Sequence, residues 1–164
     1  MPGREPVLVV TTGGTIDKQY FDALSEYQIA ESMVAALLRV GRVTQPFRIV
    51  ELMRKDSLEL TDADRALIRT TIETAPEHRV VVTHGTDTMT ATAAALGSLP
   101  GKTIALVGAL APARFVESDA PFNLGMALAC VQVARPGIYI TMNGTVFDAA
   151  MVVKDRSRNA FVER

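Results

Sequence analysis

Val7-Leu8-Val9-Val10-Thr11-Thr12-Gly13-Gly14-Thr15 is an apolar run that breaks abruptly into glycines and hydroxyl residues. Unbroken apolar character fits a strand covered on both faces, because a strand with one wet face alternates apolar and polar residues. The same pattern recurs at Phe47–Leu52, Val80–Thr83, Thr103–Val107 and Gly137–Met142. Segments with helical spacing lie between these runs. Ala30–Val40 brings Met33, Val34, Leu37 and Leu38 onto one face, and Gly41 is placed to stop it. Thr61 is placed to cap a helix that buries Ala63, Leu67 and Ile68, with Asp64 where a capping box prefers Glu or Gln. Thr90–Leu99 ends before Pro100-Gly101, and Asn123–Val133 ends before Pro136-Gly137.

Strand–helix–strand alternation of this kind predicts an α/β fold: a three-layer sandwich around a mainly parallel, Rossmann-like sheet. No repeat, low-complexity tract or linker interrupts it, so residues 1–164 are expected to form a single domain.

Composition narrows the function classes. The 164 residues are 48% hydrophobic and 21% charged, as in soluble globular proteins. With 17 basic against 18 acidic residues there is no basic excess for a duplex-binding surface, so no nucleic-acid partner is expected. Val7–Val10 is too short for a membrane span or a signal-peptide core, which points to a cytoplasmic protein with no membrane partner. Two histidines and one cysteine are too few for a usual zinc site, and no metal or cofactor is expected. Cys130, inside Met126-Ala127-Leu128-Ala129-Cys130-Val131, reads as a small buried hydrophobe.

Open α/β sheets bind ligands beyond the carboxyl ends of their strands. Two loops there carry hydroxyls: Thr11-Thr12-Gly13-Gly14-Thr15-Ile16-Asp17 after the first strand, and Thr83-His84-Gly85-Thr86-Asp87-Thr88 after the third. Singly, each feature has an ordinary reading. Gly13-Gly14 fits neither a dinucleotide fingerprint nor a P-loop. Thr61 and Thr90 can be helix caps, and a lone His84 on a turn reads first as hydrogen-bonded scaffold.

Taken together, the chain from Val7 to Lys154 resembles the bacterial-type L-asparaginase family, in order and motif by motif. The resemblance rests on Thr12-Gly13-Gly14-Thr15-Ile16 and His84-Gly85-Thr86-Asp87-Thr88-Met89. It continues through Asp56-Ser57, Pro121-Phe122-Asn123-Leu124 and Asn143-Gly144-Thr145-Val146-Phe147-Asp148 to Lys154. It implies an amidohydrolase that converts L-asparagine to L-aspartate and ammonia, with weaker glutaminase activity. Thr15 resembles the nucleophile; Thr86, Asp87 and Lys154 resemble its activating set. Ser57 matches the residue that holds the substrate's α-carboxylate and Asp87 the one that holds its α-ammonium, with Gly14 and Ala109 as further substrate contacts. A threonine hydroxyl is a weak nucleophile and needs a neighbour to take its proton. A lysine can do so only if its charged form is disfavoured, whereas Asp87 beside it pulls the other way. The family's mobile loop also offers a tyrosine: Tyr20 is nearer to Thr15 in sequence, and Tyr27 aligns better by the residues after it.

The chain also departs from the family pattern. Larger members carry a C-terminal domain that completes a neighbouring subunit's site; this chain stops at Arg164, so no such domain is expected. Leu58 follows Ser57 where a polar residue is common, and Ala111 stands where arginine is frequent. A homo-oligomer, dimer or larger, is expected from the family and from the apolar composition. Two alternatives stay open: an ammonia-supplying subunit related to tRNA-dependent amidotransferases, and a non-catalytic asparagine- or aspartate-binding module.

Overall fold

In the computed structural model, which describes residues 3–164, the chain runs β1 (Val7–Gly13), β2 (Lys18–Phe21), β3 (Glu26–Ile29), α1 (Val34–Val40), β4 (Phe47–Lys55), α2 (Asp62–Thr74) and β5 (Arg79–Thr83). It continues through α3 (Met89–Leu96), β6 (Thr103–Val107), α4 (Ala120–Val133), β7 (Gly137–Met142), β8 (Thr145–Asp148), β9 (Val152–Asp155) and β10 (Ala160–Glu163). The main sheet has six strands in the order β4-β1-β5-β6-β7-β8, parallel except for β8.

The unbroken apolar runs are explained by burial from both sides. Leu8, Val10, Val80, Val82, Ile104 and Leu106 face Ile68 and Ile72 of α2 and Leu96 of α3. The alternate residues Val7, Val9, Val81, Ala105 and Val107 face Val34 and Leu38 of α1 and Leu124, Leu128 and Val131 of α4. Each such Val, Leu or Ile side chain contributes about 1.5–3 kcal/mol through removal from water. These layers are the expected α/β sandwich. β4 is the exception among the parallel strands. It is an edge strand paired only with β1, and its residues stay half-buried or exposed.

The connections place the site. From β1 the chain passes through α1 to the edge strand β4, then returns through α2 across β1 to β5. The sheet therefore changes its direction of growth between β1 and β5, where α/β proteins open a crevice at the strands' carboxyl ends. The β5–α3–β6 step keeps its helix on the α2 face, whereas β6–α4–β7 moves in the same direction with its helix on the opposite face. That last crossover has the opposite hand to the others, an exception to the usual right-handed rule.

Helix boundaries differ from the sequence expectations for local reasons. The first helix starts at Val34 rather than Ala30, because Ala30 N–H donates to the Asp17 carbonyl and Met33 N–H to the Asp17 carboxylate. Gly41 ends it as expected. The Thr61–Asp64 capping box forms on both sides, but α2 buries Ile68 and Ile72 while Ala63 and Leu67 are exposed. The third helix stops at Leu96, where Gly97 turns with φ +56°, and Thr90 lies inside it rather than capping it. The fourth begins earlier, at Ala120, with Pro121 in its first turn. Cys130 is buried and unpaired as read. Among the described residues, no helix is long and apolar enough to cross a membrane.

Candidate active site

The loops after β1, β4 and β5 converge on the crevice, and two glycines let them touch. Gly14 has φ +86°, and a Cβ there would lie 2.4 Å from the Gly85 nitrogen. A Cβ on Gly85 would lie 2.7 Å from both Cβ and Oγ of Ser57. Only glycine allows this approach of backbone to backbone at Gly14 and of backbone to side chain at Gly85. The Thr88 hydroxyl ties the same loops, donating to the Ser57 carbonyl at 2.7 Å.

Thr15 opens a 3-10 turn, Thr15–Asp17, directly after Gly14 and is half-buried. Ser57, 2% exposed, heads the turn Ser57–Glu59 after β4. Lys154 arrives from β9. Its Nζ donates to Thr86 Oγ1 at 2.6 Å and to Asp87 Oδ1 at 2.7 Å, while its side chain is only 10% exposed. The Lys154 hydrogen bond holds the Asp87 carboxyl below its usual range, with the charges of Lys154, Arg156 and Lys18 acting the same way. A lysine Nζ joined to both a hydroxyl and a carboxylate is an arrangement that can orient the Thr86 hydroxyl and serve proton transfer at its oxygen.

The remaining expected residues fall around this centre. Ala109 is 2% exposed and clusters with Ile16 and Ala120, so its methyl is core and only its backbone is available to a ligand. Tyr20 and Tyr27 are cross-strand partners in the β2–β3 hairpin, with ring centroids 5.2 Å apart. Tyr27 also meets Phe115 edge-on at 6.1 Å. The hairpin thus presents both tyrosines together, about half exposed, and selects neither. His84 is scaffold, fully buried with Nδ1 against the Gly85 carbonyl at 2.6 Å and Nε2 against Thr92 Oγ1 at 2.7 Å. Burial pushes its pKa down to about 4, so at neutral pH it is uncharged. Lys154 lies within β9. Among the described residues, no three His, Cys, Asp or Glu side chains converge where a metal could sit.

Several residues around the site were not singled out from sequence. Asp17, two residues beyond Thr15, is buried; desolvation raises its pKa to about 6, and Met33 N–H donates to it at 2.9 Å. Arg114 clamps the same turn by donating to the carbonyls of Asp17 and Glu31. Lys18 pairs with Asp56 at 3.3 Å beside a hollow of about 310 Å³ that Tyr27 and Glu59 also line. A larger hollow of about 780 Å³ lies at the opposite end of the sheet, among Gly97–Lys102, Pro136 and Arg164, away from all these residues. Asp119, not singled out, forms a further polar network with Asn123 and Asn143, which lie inside the motifs quoted above.

Known proteins resemble this chain in sequence and in fold. Residues 6–162 match the family model described as asparaginase, N-terminal. The chain is 30% identical to a glutaminase-asparaginase of Acinetobacter glutaminasificans over 92% of its own length and 50% of that protein's. It is 32% identical to an L-asparaginase of Thermococcus kodakarensis over 94% of its length and 50% of that protein's. The solved structure of the thermostable L-asparaginase from the same organism superimposes with a TM-score of 0.85 at 27% identity, covering 96% of this chain and 51% of that one. The chain thus spans about half the length of the curated relatives it matches. With this fold, these motifs and a family model covering nearly all of its length, the chain belongs to the asparaginase family and corresponds to its N-terminal domain.

Proposed function

We propose that the chain is an amidohydrolase that converts L-asparagine to L-aspartate and ammonia, with L-glutamine as a poorer substrate. The observation that carries this is Lys154, its side chain 10% exposed and hydrogen-bonded to Thr86 Oγ1 at 2.6 Å and Asp87 Oδ1 at 2.7 Å, at the crevice that Thr15 enters after β1.

The residues of the crevice divide the work. Asp87 takes the α-ammonium, and the hydroxyl of Ser57 takes the α-carboxylate. Gly14 and the backbone of Ala109 border the amide. Thr15 Oγ1 attacks the amide carbon; its proton passes, with Tyr20 or Tyr27 as relay, to the departing nitrogen, which leaves as ammonia. The developing oxyanion is met by the Thr86 N–H, which makes no main-chain hydrogen bond among the described residues. An ester on Thr15 remains. Water, oriented by the Thr86 hydroxyl with Lys154, adds to it, and Thr15 is restored as aspartate departs. The working form is a homo-oligomer in the cytoplasm, in which a neighbouring polypeptide closes the open side of the crevice.

A coupled ammonia assay over millimolar L-Asn, L-Gln and D-Asn tests this. Ammonia from L-Asn is expected from the wild-type chain, with Thr15→Ala and Lys154→Met each severely impaired. Wild-type turnover in either variant would sink the assigned mechanism.

A further inference from the structure

The loop after β6 is held by a network that the proposed reaction does not use. Both oxygens of the Asp119 carboxylate accept the Leu110 N–H at 3.0 Å, and Oδ1 also accepts the Ala111 N–H at 3.1 Å. Oδ2 further accepts the amides of Asn123 at 2.9 Å and Asn143 at 2.8 Å. Asn123, fully buried in α4, also donates to the Gly108 carbonyl at 3.0 Å, and its own carbonyl accepts the Asn143 N–H at 2.9 Å. Ala109 is therefore bracketed: the residue before it is tied through its C=O, and the residue after it through its N–H.

The same loop touches both threonines' surroundings. Ala113 N–H donates to the Ile16 carbonyl at 3.0 Å, next to Thr15. A Cβ on Gly108 would sit 3.2 Å from the Thr86 methyl. Charge-assisted acceptance of several N–H groups by one carboxylate is the strong form of hydrogen bonding, and it fixes a loop that would otherwise be free to shift. Here it also pins the β6–α4 connection, which opens the crossover of unusual hand.

We propose that Asp119, supported by Asn123 and Asn143, is a positioning residue that sets the backbone of Ala109 for substrate binding; this rests on the amidohydrolase reading given above. Thr86 Oγ1 is held independently by Lys154, so loosening the loop degrades the fit of substrate more than the chemical step.

Asp119→Asn tests this, because both carboxylate oxygens face N–H donors and the introduced amide must turn its NH2 toward one of them. KM for L-asparagine is expected to rise about tenfold, with kcat per folded molecule within about threefold of wild type. A merely structural role would lower Tm and the folded fraction and leave KM alone; that result overturns the proposal. Asn143→Gly is the second variant. Asn143 has φ +47°, which glycine accepts without strain, so only the amide arm is lost. A KM rise of about threefold is expected, and an unchanged KM overturns the proposal even if Asp119→Asn does not fold. If the wild-type chain releases no ammonia, the amidohydrolase reading fails on its own. The comparison then moves to calorimetric Kd for L-aspartate, where equal Kd in wild type and variants, or no binding by wild type, overturns the Asp119 proposal.

Discussion

Replacing Asp17 by asparagine is expected to stabilise the chain at neutral pH and to do nothing in acid. Burial raises this carboxyl from 3.8 to about 6, with Glu51 adding to the rise and the Met33 N–H and Arg114 opposing it. A shift of roughly 2 units corresponds to about 3 kcal/mol. The folded chain binds this proton more tightly than the unfolded chain, so between about pH 4 and 6 the unfolding free energy falls as pH rises. Above pH 6 the full cost of a buried charge is present. His84 works with the opposite sign: burial lowers it from 6.5 to about 4, so its contribution rises with pH over nearly the same window. In the wild-type chain the two slopes largely cancel; in Asp17→Asn only that of His84 remains. Asparagine keeps an acceptor for the Met33 N–H. The stability of Asp17→Asn relative to wild type should thus grow from near zero at pH 4 to about 3 kcal/mol at pH 7, which for a chain of this size is roughly 6–12 °C in Tm. Thermal unfolding followed by circular dichroism from pH 4 to 8 measures this. A Tm difference that stays constant with pH, or narrows as pH rises, would refute the reasoning.

Other perturbations test the packing of the site and of the core. Gly85→Ala puts a Cβ 2.7 Å from Ser57 Cβ and Oγ. Ser57 must move, at about 1–3 kcal/mol of stability, and KM for L-asparagine should rise while the Lys154–Thr86 pair is untouched; an unaltered KM would mean that Ser57 does not hold substrate. Ile72→Ala removes a fully buried α2 side chain from the cluster containing Leu8 and Val80. A loss of about 2–5 kcal/mol is expected by urea titration, with KM unchanged below the transition.

Much of the fold could be read from residues because the main strands are buried on both sides and leave an unmistakable apolar signature. Val7–Val10, Val80–Val82 and Thr103–Val107 are the clearest cases. The exposed hairpins escaped. β2–β3 buries little and its composition is mixed and polar, and β9–β10 consists of two four-residue strands of which only Val152 is fully buried. The β7–β8 turn did carry a signal: Asn143-Gly144, both at positive φ, is the dipeptide that favours a tight hairpin. The start of α1 was misplaced because Asp17, far away in sequence, fixes the backbone at Met33.

The site was legible in a similar way. Thr15 and Thr86 sit in glycine-bearing loops after strands, and Ser57 follows β4 directly, where the fold rule directs attention. The contacts of Lys154 could not be read from spacing, because β9 is brought back across α3 only by tertiary packing. The Asp119 network was hidden for the same reason: its acceptors and donors come from three separate segments.

The division of labour between the two threonines is the central claim, and trapping the ester tests it most directly. In Thr86→Val the water-directed step is impaired while Thr15 keeps its hydroxyl. Acid quenching during turnover of L-asparagine, followed by peptide mass spectrometry, should then find an aspartyl ester on the peptide containing Thr15, accompanied by a burst of ammonia. An ester found instead on Thr86 when Thr15→Ala is quenched in the same way, or an ammonia burst from Thr86→Val with Thr15 unmodified, would contradict the account.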